Sequence, residues 1–348
     1  MTLPAEFSDT KGADVRDILK STGGEQLLRQ AISDAALWFP PSEKGMSAGT
    51  KPEIFVDVDE QRVVDEAIAA LTKEPSICQR GGLLVHVVRD TDPPKGIARP
   101  KNAPRIVPLP LPRLRELLSS AAVWFRYDDG KIVQCHPPLW TVKALEARGQ
   151  WSAIRRLEGI VEAPVLRTDG TVLQTPGYDE RTGLLYEPRK DYPLVPDNPS
   201  KDDAKEAVSE LLEIVVDFPF KSDEHRASMV AAFLTPVSRH AFSGPSPLFL
   251  VDGNIRACGK SLLTDAIALL ATGQAMARMS APRDDDEARK RITSLLMAGE
   301  PLVLIDNVDG ALGCASLNAA LTGTTWSDRV LGSNNIITLP LTPTWFAS

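Results

Sequence analysis

The sequence has few of the residues that build disulfide bonds and metal centres. It contains four cysteines and four histidines among 348 residues, and no two cysteines form a C-x-x-C pair. Cysteines this scattered exclude a zinc ribbon and argue against a disulfide framework in a reducing compartment. The histidines are equally dispersed, so the sequence shows no metal site built from His or Cys.

Long apolar runs are also missing. Stretches such as Pro247–Val251 and Leu302–Ile305 fall far short of the ~20 apolar residues that a membrane-spanning helix needs. The N-terminus, MTLPAEFSDTKGADV, lacks the apolar core of a signal peptide. We therefore expect a cytoplasmic protein with no membrane partner.

Basic side chains are in the minority, with 39 Lys and Arg against 46 Asp and Glu and a formal net charge of −7. This balance excludes a nucleic-acid-binding protein that is basic over its whole surface, but it allows a local basic patch. At roughly 150 residues per domain, the chain has room for two domains.

Proline divides the chain unevenly, because 20 of its 28 prolines precede residue 201. That density predicts short strands and irregular loops in the first part. The remainder alternates strand-like and helix-like segments, which is typical of an α/β sheet. The polar, proline-rich run EPRKDYPLVPDNPSKDD (Glu187–Asp203) predicts the linker between the two parts.

Local patterns predict several elements. Before the linker these are a helix at Gly24–Leu37, a strand at Glu53–Val58, a helix at Arg62–Leu71 and a strand at Leu83–Arg89. After the linker, apolar residues recur at helical spacing from Ala207 to Val215. A second helix is expected to start at Ser222, which is a good N-cap followed by two acidic residues.

The motif with the clearest chemistry follows the apolar run SPLFLVD (Ser246–Asp252), which is typical of a buried parallel strand. The next residues, GNIRACGKSLLTDAIALLATG, place Gly259-Lys260-Ser261 before an amphipathic helix. Backbone N–H groups at such a helix N-terminus cradle phosphate oxygens, Lys260 reaches the β- and γ-phosphates, and Ser261 ligates Mg²⁺. The pattern predicts a P-loop that binds ATP and Mg²⁺.

A second segment, PLVLIDNVDG, fits the same interpretation. It is an apolar strand that ends in Asp306, the composition expected of a Walker B carboxylate that holds Mg²⁺ through water. Asn307 follows where many such ATPases carry a glutamate, so Asp306 and Asn307 are the catalytic candidates. The phosphate-binding candidates are Gly253, Gly259, Lys260 and Ser261.

The loop departs from the standard G-x-x-x-x-G-K-S pattern. Asn254 occupies the position of the first glycine, and Gly253 stands one residue early. Ala257 lies where a flexible residue usually lets the backbone wrap the phosphates, and alanine resists positive φ. We therefore expect nucleotide binding to be weak.

From about Ile160 onward the sequence resembles the helicase part of phage- and plasmid-type replication proteins, the D5-like primase–helicases. Their motor is a superfamily-3 AAA+ ATPase. The resembling stretches are GIVEAPVLRTDG, PGYDERTGLLY, LFLVDG…GKSLLTDAIALLATG, PLVLIDNV and LTGTTWSDRVLG…ITLPLTPTWFAS. The opening, DTKGADVRDILKSTGGEQLLRQAI, is similar to the tail of a Toprim-type primase domain.

The resemblance implies ATP-driven DNA unwinding at replication initiation in a mobile element, by a ring of six subunits. It also implies an incomplete motor. The sensor Asn, arginine finger and fifth core strand of such motors would follow TWFAS, where the chain stops, so we expect the chain by itself to hydrolyse ATP poorly. The expected fold is an incomplete P-loop parallel sheet preceded by small mixed α/β subdomains. Its sheet strands would be 248–252, 275–279, 301–306 and 344–348.

These observations predict four segments. They are a linker and helix after a primase-type domain (1–50), a mixed α/β accessory region (51–186), the linker (187–203) and the truncated P-loop domain (204–348).

One segment of the accessory region is basic. Residues 95–156 contain twelve Lys and Arg but four Asp and Glu, with five Trp, Tyr and Phe residues interleaved. Basic residues that track phosphates and exposed aromatics that stack on bases are typical of single-stranded DNA binding. Buried tryptophans and a solvated basic rim are the alternative. The candidate DNA contacts are Arg113, Arg115, Arg126, Arg155, Arg156 and, at the start of a predicted hairpin over 328–341, Arg329.

Two other functions remain open. The strand EIFVDVD ends in Asp57-x-Asp59, an arrangement that two-metal nucleotidyl transferases use, which would make the first half a primase or polymerase with His86 as its only histidine candidate. Alternatively, one of these aspartates caps the helix that follows. A catalytically inactive DNA-binding or oligomerisation module is the third possibility.

Overall fold

The computed structural model describes residues 51–89, 104–253, 258–330 and 336–348. Their helices are α1 (Glu60–Leu71), α2 (Leu111–Ala121), α3 (Leu139–Ala147), α4 (Lys201–Glu213), α5 (Asp223–Ser238), α6 (Lys260–Thr272), α7 (Asp285–Ala298) and α8 (Ala315–Thr322). Their first strands are β1 (Glu53–Val56), β2 (Ile77–Arg80), β3 (Leu83–Arg89), β4 (Pro104–Pro108), β5 (Val123–Asp128), β6 (Lys131–Cys135), β7 (Gly159–Val161), β8 (Val165–Leu166), β9 (Val172–Leu173), β10 (Gly177–Asp179) and β11 (Leu184–Tyr186). The later strands are β12 (Leu248–Leu250), β13 (Ala277–Ser280), β14 (Leu302–Asp306), β15 (Thr325–Arg329), β16 (Ile336–Pro340) and β17 (Thr344–Ala347).

The first part of the described chain is a mixed α/β region of small sheets. Strand β5 lies between β1, to which it is parallel, and β6, to which it is antiparallel. Helices α1, α2 and α3 cover this sheet around a core that contains Trp124 and Trp151, each 2% exposed. The two indole N–H groups donate to the carbonyls of Leu118 and Leu145, so both tryptophans are satisfied core residues.

Further short strands form an antiparallel sheet in the order β2-β3-β4, a sheet in the order β10-β11-β7 and the pair β8-β9. These strands are two to seven residues long, as the proline density predicted. The buried Arg80 side chain, at the end of β2, donates to the carbonyls of Leu157, Glu158 and Leu296. It thereby joins this region to the C-terminal end of α7.

The second part contains a four-stranded, fully parallel sheet in the order β12-β17-β14-β13. The prediction that these four segments form one parallel sheet is confirmed. Successive residues of β14 point to opposite faces. Val303 and Ile305 join a cluster with α7 and α8, whereas Leu302 and Leu304 join one with α5 and α6. Helices on both faces explain why the strand is a continuous apolar run.

Several predicted boundaries move by a few residues. The first strand ends at Val56 rather than Val58, and α1 begins at Glu60, because Asp59 caps the helix by accepting from the Arg62 N–H. Helix α4 begins at Lys201, inside the predicted linker, because Ser200 and Asp203 form a capping box. The predicted helix at 24–37 and the whole 1–50 segment lie outside the described residues.

The predicted hairpin is confirmed, with β15 and β16 antiparallel and the first strand starting at Thr325 instead of 328. Trp326 at its base donates to the Thr293 hydroxyl, which in turn donates to Asp328. This chain of hydrogen bonds fixes the hairpin against α7. The turn predicted between the two strands falls on residues 331–335, which lie outside the described residues.

The folded chain is expected to lose stability in mild acid because of His240, in the short 3₁₀ turn Arg239–Ala241. Burial lowers the pKa of His240 from 6.5 to about 4, and the adjacent Arg239 adds to the shift. The unfolded chain therefore takes up the proton first. Stability is complete above about pH 6.5 and falls as the pH drops from there through about 4, by about 2–3 kcal/mol at pH 4.5.

Urea unfolding at pH 7.5 and pH 4.5 measures this loss. Replacing His240→Gln should flatten the pH dependence, whereas replacing the exposed His225→Gln should leave it unchanged. Equal pH dependence in both variants would show that another group is responsible.

Candidate functional site

The site lies at the carboxyl edge of the parallel sheet, where all four strands end. The register pairs Leu250 and Ile305 with Ala347, and Ser280 with Asp306, so these strand ends stand side by side. Ligands of open α/β sheets bind in the crevice outside this edge. The loop after β12, the end of β14 and the end of β17 therefore surround one space.

Helix α6 starts at this edge. Its N-cap, Gly259, has φ +91°, a left-handed conformation that glycine adopts without strain. A side chain there would also press on the Phe218 ring, at 3.1 Å from the position of its Cβ. The N–H groups of a first helical turn have no intrahelical partner, and Gly259 offers no side-chain acceptor to them. They are available to an anion, with the positive end of the helix dipole behind them.

The predicted phosphate-binding residues meet at this helix start. The Lys260 side chain lies over the beginning of the loop, since a Cβ on Gly253 would stand 3.8 Å from Lys260 Cδ and would overlap the Cys258 thiol. Lys260 is half-buried and Ser261 is exposed. The structure thus places Gly253, Gly259, Lys260 and Ser261 together, while 254–257 lie outside the described residues.

Asp306 ends β14 with its side chain 22% exposed. Its Oδ1 accepts from the Ser348 hydroxyl at 2.8 Å and from the Asn307 N–H at 3.0 Å. Its Oδ2 lies 3.4 Å from Arg278 Nη1. The carboxylate is therefore held in one orientation from two sides.

The predicted catalytic role of Asn307 stays a prediction. Asn307 has φ +57°, a left-handed conformation that asparagine tolerates better than most residues, and its side chain is exposed. The turn it makes brings the Val308 N–H to the Ser348 carbonyl at 2.9 Å. Asn307 thus shapes the end of β14, where it tethers this strand to β17.

Sequence reasoning missed two residues that touch Asp306, namely Ser348 and Arg278. Arg278 lies on β13 and also forms an ion pair with Asp265 of α6. Asp265 stands four residues after Ser261, on the same face of that helix. The contact from α6 through Arg278 to Asp306 places the Asp306 carboxylate beside the first turns of α6.

The donor set suits Mg²⁺ bound together with a phosphate. Within the described ranges, no group of three or more His, Cys, Asp or Glu side chains could hold a metal ion. Mg²⁺ does not need such a cage, because it keeps several waters and takes one or two carboxylates plus substrate phosphates. The Ser261 hydroxyl and the Asp306 carboxylate supply ligands of this kind.

Three of the predicted DNA contacts make intramolecular contacts instead of standing free. Arg113 pairs with Glu116 at 2.6 Å, and Arg126 pairs with Asp128 at 3.1 Å. The Arg115 Nε donates to the Pro137 carbonyl at 2.9 Å. All three residues remain exposed, and pairs on the surface are weak enough to exchange for a phosphate.

The remaining three contacts are also at the surface. The Arg155 guanidinium lies 5.3 Å from the centroid of the Tyr178 ring, and Arg156 is exposed beside it. Arg329 is exposed at the end of β15. The tryptophans Trp124 and Trp151 are core residues and cannot stack on bases, so the alternative interpretation is correct for them. The segment Lys95–Lys101 lies outside the described residues.

The two aspartates of the alternative metal site are engaged locally. Asp59 caps α1, and Asp57 forms an ion pair with Arg62 at 2.9 Å. These contacts match the capping interpretation of the pair.

No protein-family model matches the chain, and the curated proteins contain no significant match to its sequence. None of the helices in the described part of the chain is both long and apolar enough to cross a membrane.

Proposed function

We propose that the chain binds Mg²⁺–ATP as the motor segment of a DNA helicase of the primase–helicase type. The main support is the placement of two motifs: the helix that follows Gly259-Lys260-Ser261 and the strand that ends in Asp306 meet at one edge of a parallel sheet. Strand β17 separates β12 from β14, so the carboxyl ends of these two strands are about 10 Å apart, two strand spacings. That gap accommodates a phosphate group with its metal ion.

Each residue of the site has a distinct role in this proposal. The N–H groups at the start of α6 and the Lys260 ammonium bind the β- and γ-phosphates, and Ser261 offers a hydroxyl to the ion. Asp306 holds the hydration shell of the ion, with its orientation set by Ser348. Mg²⁺ supplies neutralisation of the charge on the phosphates.

A fluorescent ATP analogue, titrated into the chain with EDTA and again with Mg²⁺, tests the proposal. We expect weak, saturable binding that unlabelled ATP competes away and that tightens with Mg²⁺. Absence of saturable binding under both conditions would refute the proposed nucleotide site.

Single-stranded DNA is the proposed polymer. The β5–β6 hairpin supports this, because Tyr127 and Ile132 face each other across its strands and are 58% and 52% exposed. Arg126 and Lys131, each next in sequence to one of these residues, are exposed on the opposite face of the hairpin. The exposed apolar pair offers a stacking surface to bases, and the long exposed arginine and lysine side chains of the hairpin offer counter-charge to phosphates.

We expect DNA affinity to depend steeply on salt, with a slope set by these contacts. Replacing Arg126, Lys131, Arg155 and Arg156 by Gln should lower the slope of log K against log salt by nearly 3, since each single-strand phosphate contact adds about 0.7. Fluorescence anisotropy with an oligo-dT between 50 and 200 mM salt measures it.

The matched control removes the same charge elsewhere and should leave the slope unchanged. It replaces the exposed residues Lys201, Lys205, Lys221 and Arg226 by Gln. An identical slope in both variants would place the DNA contacts outside the hairpin and its neighbours.

Two outcomes would favour the alternative functions. DNA binding without nucleotide binding would favour an inactive DNA-binding module. Template-dependent nucleotide incorporation would favour the polymerase alternative.

A further inference from the structure

Among the described residues of the site, Arg278 places a positive charge beside the carboxylate that is proposed to hold Mg²⁺. Its guanidinium bridges two carboxylates, Asp265 on α6 and Asp306 at the end of β14. The Asp306 oxygen that it faces, Oδ2, is the one that Ser348 and the Asn307 N–H leave unused. A cation is thus seated on the carboxylate that would hold the ion.

We propose that Arg278 neutralises the Asp306 carboxylate when no metal is bound, in the place that Mg²⁺ would take. When Mg²⁺ binds, Arg278 leaves Asp306 and stays paired with Asp265. This inference rests on the proposed nucleotide site. The two contacts of Arg278 are unequal, because its ion pair with Asp265 is tight whereas Nη1 lies 3.4 Å from Asp306. A small displacement therefore breaks the Asp306 contact and preserves the Asp265 pair.

The burial of the three side chains fits an exchange of cations. Arg278, Asp265 and Asp306 are 38%, 34% and 22% exposed. Partly buried charges are screened less than fully exposed ones, so a guanidinium and Mg²⁺ on one carboxylate repel each other appreciably. The metal must therefore displace Arg278 from Asp306. A stronger attraction between Asp265 and Arg278 makes this displacement easier.

Two substitutions should therefore act in opposite directions on metal coupling. Metal coupling is defined here as the ratio of the nucleotide Kd in EDTA to the Kd in saturating Mg²⁺. Arg278→Gln removes the competing cation and should raise this ratio about twofold to fivefold. Asp265→Asn frees Arg278 to pair with Asp306 and should lower it by a similar factor, as expected for partly exposed ion pairs. The double variant should behave as Arg278→Gln does.

The control is Arg283→Gln, which removes the same charge from an exposed position shortly after β13 and should leave the ratio unchanged. A fall in the ratio with Arg278→Gln would show that Arg278 assists the metal. Equal shifts in both variants, or none, would also overturn the inference, while nucleotide binding that still needs Lys260 would leave the proposed function intact. Absence of nucleotide binding in the unsubstituted chain would overturn both.

Discussion

Replacing Lys260→Ala is expected to weaken ATP binding about 10- to 100-fold while the fold stays intact. The Lys260 side chain lies over the start of the loop that follows β12. It is half-buried and does not belong to the hydrophobic core, so its loss should leave the fold intact. A charge-assisted hydrogen bond to a phosphate contributes about 1.5–3 kcal/mol, which corresponds to this change in affinity.

The same fluorescent titration measures the effect, with circular dichroism to verify the fold. Lys290→Ala is the matched control, because Lys290 is an exposed lysine on α7 and its loss should not alter binding. Equal affinity of the Lys260→Ala and Lys290→Ala variants would show that the nucleotide, if bound, sits elsewhere.

The largest effect on stability is expected for Arg80→Met, which should lower the free energy of unfolding by about 2–4 kcal/mol. Arg80 is 5% exposed, and its guanidinium donates to three carbonyls, of which those of Leu157 and Leu296 are bonded in buried positions. The Leu296 carbonyl keeps a bond from the Gly299 N–H when Arg80 is replaced, so the Leu157 and Glu158 carbonyls lose most. Each unsatisfied buried carbonyl costs about 1–3 kcal/mol. Burial lowers the pKa of Arg80, which shows that its charge is itself costly to bury and that removing it offsets part of the loss.

Urea unfolding at neutral pH tests this prediction. Arg80→Lys should also destabilise, because a single ammonium lacks the planar fork that reaches both Leu157 and Leu296. Arg89→Met, which removes an exposed ion pair with Glu187, should cost at most about 1 kcal/mol. A change at Arg80 no larger than that at Arg89 would contradict the role given to the three carbonyl bonds.

The parallel sheet could be predicted from the sequence mainly because its two central strands are dense apolar runs. The run that ends at Asp306 and the run at 344–347 are each buried on both faces, which makes them recognisable without periodicity. The small sheets between 159 and 186 could not be predicted, because strands of two or three residues are too short to show a hydrophobic periodicity. Helices α2 and α3 start directly after Pro110 and Pro138, so they were hidden in proline-rich sequence.

The candidate site was predictable only in part. Lys260, Ser261 and Asp306 belong to motifs that are local in sequence. Arg278 and Ser348 reach Asp306 from other strands, through a sheet register that no local pattern reveals. In the basic segment, composition predicted more free charge than the structure shows. It gives the number of basic residues but not that Arg113 and Arg126 form ion pairs with acidic neighbours.

The central position of β17 has a consequence for the order in which the protein folds. Strand β17 follows β12 in the chain by more than 90 residues, yet it is the strand to which β12 pairs and the one that joins β12 to β14. During synthesis, β12 and α6 emerge long before β17. Until then the edge of β12 is unpaired and can associate with other chains. The sheet closes only through this distant pairing, which is slow because a long loop must be ordered first. Folding of the site is thus a late event that waits for β17.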